Sequence, residues 1–585
     1  MPLRPDSPFC PATPWPCAVA WLLAVFLALS LRPARAESEV TVGGSQYSPL
    51  KEINARNVSR LIQAWIHVPD LPSEELHALP VADGGLLAYC SAGGRVWVLD
   101  GATGRLRWHA RTAEIPDPAA EAGATANTLS LLPATAAGGD DCHGVALHDG
   151  SLYLAAADGR VLAWNALTGM LRWQMRAVPR DGSSGVLQGP PVLAGGTVVV
   201  GSSVVRARQR GLLLGLDMRT GRELWRDEVV AGAANHWGVS GERAGERAFG
   251  GSAGVPGSWD AAQQMLYWGT GSPLPLFDWA GADYKTHGSH PGDNAYTGSL
   301  LALDPSNGRL LAWHQEIAHE VWVRDSAASE VLLLSRGGQN YVVHPNRSGL
   351  VFVYTAALRL VRVWQAARNF NLAGSVDTAT GVLGARRDFN AGQQTNLCPA
   401  LEGAFPGLSG SYSPQTGLWY KVVAEWCMDV QVDRSAAPAP AAPGSGADLR
   451  ELLGGIATAT APQDERARAH LDARDPLTGA KMWTVEFPEP PLASLLSTAG
   501  RLLWVADARG TLHALDAGTG RTLWRHQDDE GHAGGLISYE AGGHQYLAVV
   551  TGWDGQQHPA FARVFGGRFA QTHTPKASLR VFRLP

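Results

Sequence analysis

A short motif recurs along this chain: Asp or Asn, then Thr-Gly or Asn-Gly, then Trp. It reads Asp100-Gly-Ala-Thr-Gly-Arg-Leu-Arg-Trp108 in its first copy, followed by Asn165 to Trp173, Asp217 to Trp225, Asp304 to Trp313, Asp475 to Trp483 and Asp516 to Trp524. The Trp lies eight positions after the acidic or amide residue in five copies and nine in the Asp304 copy. Degenerate copies stand at Asp377-Thr-Ala-Thr-Gly381, which lacks the Trp, and at Ser413-Pro-Gln-Thr-Gly417. Recurrence of this kind specifies a repeat architecture and overrides the four domains that 585 residues would otherwise suggest.

Each copy can be read physically. An apolar run such as Leu212-Leu-Leu-Gly-Leu216 is a buried strand, the Asp-x-x-Thr-Gly segment is a tight turn, and the next strand delivers the Trp to a neighbour. Gly takes the positive-φ position, while Asp and Thr side chains satisfy nearby backbone groups. A further strand precedes most copies, as in Ser151-Leu-Tyr-Leu154, so each unit is a four-stranded antiparallel blade. One blade cannot bury both its faces, so blades stack radially with Trp between them. Six clear copies, together with blades counted at Asp377 and at residues 413–427, predict an all-β, eight-bladed β-propeller with tryptophan-docking repeats.

Composition narrows the rest. The Gly count of 68 and Trp count of 21 match blade turns and blade plugs, and a 45% hydrophobic content excludes widespread disorder. A net charge of −5 argues against a nucleic-acid surface. Arg4, an apolar run over residues 18–31 and Ala34-Arg-Ala36 read as a secretory signal over residues 1–36, shorter than a bilayer span, whose removal leaves residues 37–585 with a charge of −7. The expected product is an exported protein with no membrane span after cleavage. Four cysteines remain, Cys90, Cys142, Cys398 and Cys427, in an oxidising compartment that favours disulfides, and sequence alone leaves three pairings open. No CxxCH occurs, so covalent c-type haem is not expected. Residues 434–470, with their Ala-Pro-Gly-Ser run, read as a flexible loop insertion, and Asp448 to Leu453 as a short helix within it.

Four segments carry a family resemblance. Asn57 to Trp65, Pro291-Gly-Asp-Asn294 running into Ser299 to Asp304, Ser411 to Gly417, and Gln545 to Val550 resemble quinoprotein alcohol dehydrogenases, in an order that spans the chain from about residue 50 to its end. The resemblance implies a periplasmic eight-bladed propeller that uses pyrroloquinoline quinone and a calcium or lanthanide ion to oxidise alcohols. It also implies a Cys398–Cys427 disulfide. The family's adjacent-cysteine pair is absent here, which leaves Cys90 and Cys142 without a family role.

Carried over position by position, the family's site is largely replaced. Arg206 falls where the metal's carboxylate ligand belongs and Ser272 where its amide ligand belongs. The motif that supplies the base reads His319-Glu-Val-Trp-Val-Arg-Asp325, which puts Val323 at the base position and keeps only the second aspartate, Asp325. Gly254 stands where a Trp should stack on the quinone, and Cys142-His143-Gly144 where an arginine should reach it. Arg347 and Asn371 match, although Leu372 replaces the Trp after Asn371. A guanidinium in place of a carboxylate beside a divalent ion turns attraction into repulsion of about 8 kcal/mol at roughly 4 Å before relaxation, so calcium or lanthanide is not expected.

Two uses of these residues follow. In one, Arg206 replaces the metal's charge, His143, Arg206, Arg347 and Asn371 hold the quinone or another anionic ligand, and His143, His319 or Asp325 accepts the proton from a small-molecule alcohol. In the other, His319 is structural, Asp325 and Glu330 cap turns or face solvent, Arg206 and Arg208 form an exposed rim, and the propeller binds an envelope protein or small ligand without catalysis. No local motif supports a hydrolase.

Overall fold

The computed structural model describes residues 44–69, 76, 78–91, 94–117, 142, 144–179, 185–187, 189–204, 209–230, 237, 249–274, 292–321, 323–327, 330–387, 392–400, 403–405, 410–433, 456–460, 468–552 and 577–585. Eight sheets of four blade strands follow one another. Blade 1 takes residues 81–111, blade 2 146–176, blade 3 192–228, blade 4 258–315, blade 5 332–365, blade 6 411–487, blade 7 496–527, and blade 8 536–583. The ring closes without a free edge at its seam: Ile62–His67, from the N-terminal side, pairs antiparallel with Ser578–Arg583 as the outermost strand of blade 8. No helix among the described residues is long and apolar enough to cross a membrane.

The count of eight holds, but two blades lie elsewhere than the degenerate motifs suggested. Residues 413–427 are the front half of blade 6, whose back half carries the Asp475 copy. The Asp377–Gly381 turn joins a separate two-stranded hairpin, Ala373–Val376 with Leu383–Arg386. The two blades without the motif are blade 5, which ends in Trp364, and the closing blade, whose plug is Trp65. Blade 5 escapes the pattern because its turn is one residue tighter, with Thr355 N–H donating to Arg359 O and no Asp or Gly in it.

Trp docking explains the repeated Gly. A Cβ on Gly104, Gly169, Gly221, Gly308, Gly479 or Gly520, all at positive φ, would fall within 3 Å of the preceding blade's Trp ring: Trp65, Trp108, Trp173, Trp225, Trp364 and Trp483 in turn. Five of these indoles also donate to a turn carbonyl of the next blade, from Trp108 to Ala166 at 2.8 Å and from Trp225 to Pro305 at 2.7 Å among them. The repeat is thus a two-part device, in which Gly leaves space and the carbonyl satisfies a buried N–H.

Two disulfides are formed. Cys398 pairs with Cys427, and Cys90, in the second strand of blade 1, pairs with Cys142 just before blade 2. Within residues 434–470, Ile456–Thr460 forms a strand against Met428–Asp433, which itself pairs with Gly392–Leu397. The signal segment, Asp448 to Leu453, His143, Arg206 and Arg208 lie outside the described residues.

Candidate functional site

Three of the expected residues, Ser272, Asp325 and Arg347, meet where blade 4 joins blade 5. Ser272 follows the second strand of blade 4, Asp325 lies on the connection between the blades, and Arg347 sits in a turn of blade 5. Asp325 Oδ2 accepts from the Ser272 N–H and hydroxyl, both at 3.2 Å. Its Oδ1 accepts from Ala327 N–H at 3.3 Å and lies 3.3 Å from Arg347 Nε. The carboxylate is nearly buried, whereas the Arg347 side chain keeps 30% of its surface exposed. Both oxygens of Asp325 are therefore engaged, one of them by a cation.

A buried network beneath this pair was not legible in the sequence. Glu316 takes hydrogen bonds from Ser326 Oγ at 2.6 Å, Asn346 Nδ2 at 3.1 Å and Tyr354 Oη at 3.0 Å, and pairs with His344 Nδ1 at 2.8 Å. Burial pushes the Glu316 carboxyl up, but His344 and the hydroxyl and amide donors outweigh it and hold it below the usual range. Ser326 and Asn346 are the immediate neighbours of Asp325 and Arg347, so Glu316 ties together the two backbones that carry the site. The signal was present as His344-Pro-Asn346, read only for the Arg347 that follows it.

The connecting loop is held against its own preference. Val323, at the position of the family's base, has φ 61° and His319 has φ 47°. A β-branched residue in this region costs about 1 to 3 kcal/mol and persists only where neighbours impose it. Arg386, from the Ala373–Arg386 hairpin, donates to Ala318 O at 2.6 Å and His319 O at 2.9 Å. Arg324 is buried and donates to Pro399 O beside the Cys398–Cys427 disulfide.

The remaining candidates have other partners. His319 Nδ1 lies 2.9 Å from Gly292 O, away from the Ser272–Asp325–Arg347 group. Asn371 spends its amide on the disulfide loop, with Nδ2 donating to Asn396 O at 2.6 Å and Oδ1 accepting from Cys398 N–H at 2.9 Å. Glu330 is neither solvated nor a simple turn cap: it forms a buried pair with Lys421 at 2.7 Å and accepts from Gly410 N–H. At Gly254 a Cβ would fall 1.8 Å from Ser203 Oγ and 3.1 Å from its Cβ, so Ser203 occupies the space a stacking ring would need.

These observations test the family's cofactors against the residues present. A calcium or lanthanide ion needs several open oxygen ligands, and the Asp325 carboxylate is already hydrogen-bonded to Ser272 and Ala327 with the Arg347 cation 3.3 Å away. No group of three His, Cys, Asp or Glu that could hold a metal occurs among the described residues. The metal does not fit this group of residues.

A blade ring closed by its N-terminal strand, with Trp docking and a site between blades 4 and 5, defines a propeller of the quinoprotein class. Residues 37–357 match the family model described as "Glucose/ethanol/alcohol dehydrogenase, beta-propeller domain", and the chain belongs to that family. Residues 467–549 also match the model of the outer membrane protein assembly factor BamB. Among curated relatives, the quinohemoprotein alcohol dehydrogenase of Comamonas testosteroni is 27% identical over 87% of this chain and 71% of its own length. The quinoprotein alcohol dehydrogenase PedH of Pseudomonas putida is 25% identical over 88% of this chain and 85% of its own. The crystal structure of the Comamonas protein superposes with a TM-score of 0.75 at 25% identity, covering 92% of this chain and 79% of that one. A europium-containing methanol dehydrogenase gives 0.76 at 22% identity, over 92% and 96%.

Proposed function

We propose that this chain is a periplasmic quinoprotein-type propeller whose central site binds its ligand without a calcium or lanthanide ion, and that metal-assisted alcohol oxidation is not its activity. The observation that carries this reading is the closed coordination of Asp325, shared between Ser272, Ala327 and Arg347. A carboxylate whose two oxygens already face Ser272, Ala327 and Arg347 has little lone-pair capacity left for an alcohol, and general-base catalysis requires a free lone pair within reach of that proton. Arg347, half-exposed with a fork suited to carboxylates, is the group that would receive an anionic ligand.

A second reading keeps oxidation of a small-molecule alcohol, and the family match over residues 37–357 favours it. Pyrroloquinoline quinone would then supply the two-electron acceptor, with Arg347 as its contact and Asp325 released as base. One experiment separates the two readings. The exported protein is titrated calorimetrically with the quinone, with and without calcium or lanthanum, and dye reduction by ethanol is followed. The first reading expects no dependence on either cation and no dye reduction. Cation-dependent quinone uptake with ethanol-driven reduction would overturn it.

A further inference from the structure

The nine-residue spacing of the Asp304 copy has a structural outcome. In blades 1, 2, 3, 6 and 7 the plug Trp pairs with the residue two before the motif's Asp or Asn: Trp108 with Val98, Trp173 with Ala163, Trp225 with Gly215, Trp483 with Ala473, Trp524 with Ala514. In blade 4 that place belongs to Ala312, opposite Ala302, and Trp313 is one residue further, opposite Leu301. Side chains alternate along a strand, so one residue of shift turns the ring to the other face of the sheet. Ala312 accordingly packs into the apolar cluster shared by blades 4 and 5, while Trp313 joins the cluster shared by blades 3 and 4.

Turned this way, Trp313 builds a cleft instead of a plug. Its ring meets Tyr296 edge-on at 4.9 Å, and Tyr296 meets Trp237 edge-on at 5.3 Å. Trp313 and Trp237, half-buried, are the rings open to a cleft of about 610 Å³ between the outer strands of blades 3 and 4, with Trp225 and Tyr296 buried beside them and Asn307 and Arg309 on the blade 4 turn. The indole N–H of Trp313 finds no acceptor among the described residues, whereas five docked indoles each hold a turn carbonyl.

We infer that this cleft binds a pyranose ring of a neutral saccharide. A purely apolar ligand would strip water from Asn307 and Arg309 with nothing in exchange. Of the charged groups that line the cleft, Asp227 is buried and Arg226 is paired with Glu223 at 2.9 Å, which leaves the exposed Arg309 to oppose a cationic ligand, and the aromatic rings turn edges and faces to one another instead of enclosing a charge. A pyranose offers an apolar C–H face to the Trp313 indole and a rim of hydroxyls that accept from the Trp313 and Arg309 N–H groups, while the Asn307 amide, bonded to Asp304 at 2.8 Å and to Arg309 N–H at 2.9 Å, holds the turn that carries Arg309. The cleft stands on blades 3 and 4 apart from Asp325 and Arg347, so this inference is independent of the function proposed above.

The test uses the full exported chain with maltotriose, cellotriose and chitotriose, followed by isothermal titration and by saturation-transfer NMR of the ring protons, with indole-3-propionate as an aromatic comparator. At least one trisaccharide is expected to bind saturably, at least tenfold more weakly to Trp313→Ala, and measurably more weakly to Trp313→Phe, which keeps a ring but lacks the N–H. Trp364→Phe, at a docked plug, is expected to leave binding unchanged. Absence of binding by all three sugars, binding untouched by Trp313→Ala, or binding of the comparator alone would each overturn the inference.

Discussion

The seams between blades 5 and 6 and between blades 4 and 5 solve the same packing problem in opposite ways. At the first, Trp364 lies against Gly479 and donates to Pro476 O at 3.1 Å, so a single side chain supplies both apolar contact and a satisfied donor. At the second the plug position is Ala312, and the space is closed by added parts. The Asp377–Gly381 turn lies against the outer strand of blade 5, with Thr378 O accepting from Val363 N–H at 2.8 Å and Gly381 facing Phe352, and the Glu316 network fills the inner side. The seam that gave up its Trp is the one that carries Ser272, Asp325 and Arg347. Replacing a rigid plug by loops and a polar network leaves room for a site, at the cost of making the seam depend on one buried carboxylate.

That dependence is the first way to break the comparison. Glu316→Ala leaves His344, Tyr354, Ser326 and Asn346 without their common acceptor, and removing one partner of a buried ionic group costs about 3 to 5 kcal/mol. Denaturant unfolding is expected to show this loss, together with weakened ligand binding at Arg347. Trp364→Ala, at the plugged seam, is expected to cost about 3 to 4 kcal/mol without altering that binding. Trp313→Ala, half-buried and undocked, is expected to cost only about 1 to 2 kcal/mol. If Trp313→Ala proves as costly as Trp364→Ala, the two rings are doing the same job and the contrast between the seams fails.

A smaller effect sharpens the site itself. Asp325→Asn keeps the shape but loses the charge that faces Arg347, a partly exposed pair worth about 1 kcal/mol in stability. Freed from its carboxylate, Arg347 is expected to bind an anionic probe such as citrate more tightly than in the parent protein. Calorimetry showing no gain would mean that Asp325 does not restrain Arg347.

What the sequence revealed follows the same division. The ring was legible because each plug needs Gly at positive φ and a polar turn at fixed spacing, so the physics is local and repeats. Even Trp313 declared its difference by arriving one residue late. Trp65 and Trp364 were missed because their blades close by other means, one through a distant N-terminal strand and the other through a tighter turn. The site was legible only as a collection of substitutions. Asp325 and Arg347 could be placed there, but their pairing with each other, and the grip of Glu316 from below, depend on contacts across two blades that no spacing encodes. Asn371 stands at its expected position, yet its amide faces the disulfide loop, a contact that its spacing in the sequence does not encode.

Blade 6, on the plugged side, carries a buried charge cluster that separates the two sides by pH. His470 is fully buried between Glu425, whose Oε1 lies 2.8 Å from Nε2, and Asp472, whose Oδ1 lies 2.9 Å from Nδ1. Burial pushes the imidazolium down, but hydrogen bonds to Asp472 and Glu425 outweigh it and raise His470 above its ordinary value. Burial pushes both carboxyls up, yet their hydrogen bonds, His470 first among them, hold them low. A raised histidine contributes stability that is complete below its unfolded value of about 6.5 and fades as pH rises through the folded value. Lowered carboxylates contribute stability that is complete above their unfolded values of about 4 to 4.5 and fades as pH falls through the folded ones. The cluster therefore contributes most between about pH 4.5 and 6.5. His470→Gln, which keeps a polar side chain but cannot charge, is expected to flatten the alkaline decline in unfolding free energy. The Glu316 carboxyl is also held low, so its own contribution to the unplugged seam is lost as pH falls below its ordinary value. A variant whose alkaline decline matches that of the parent protein would show that the slope arises outside blade 6.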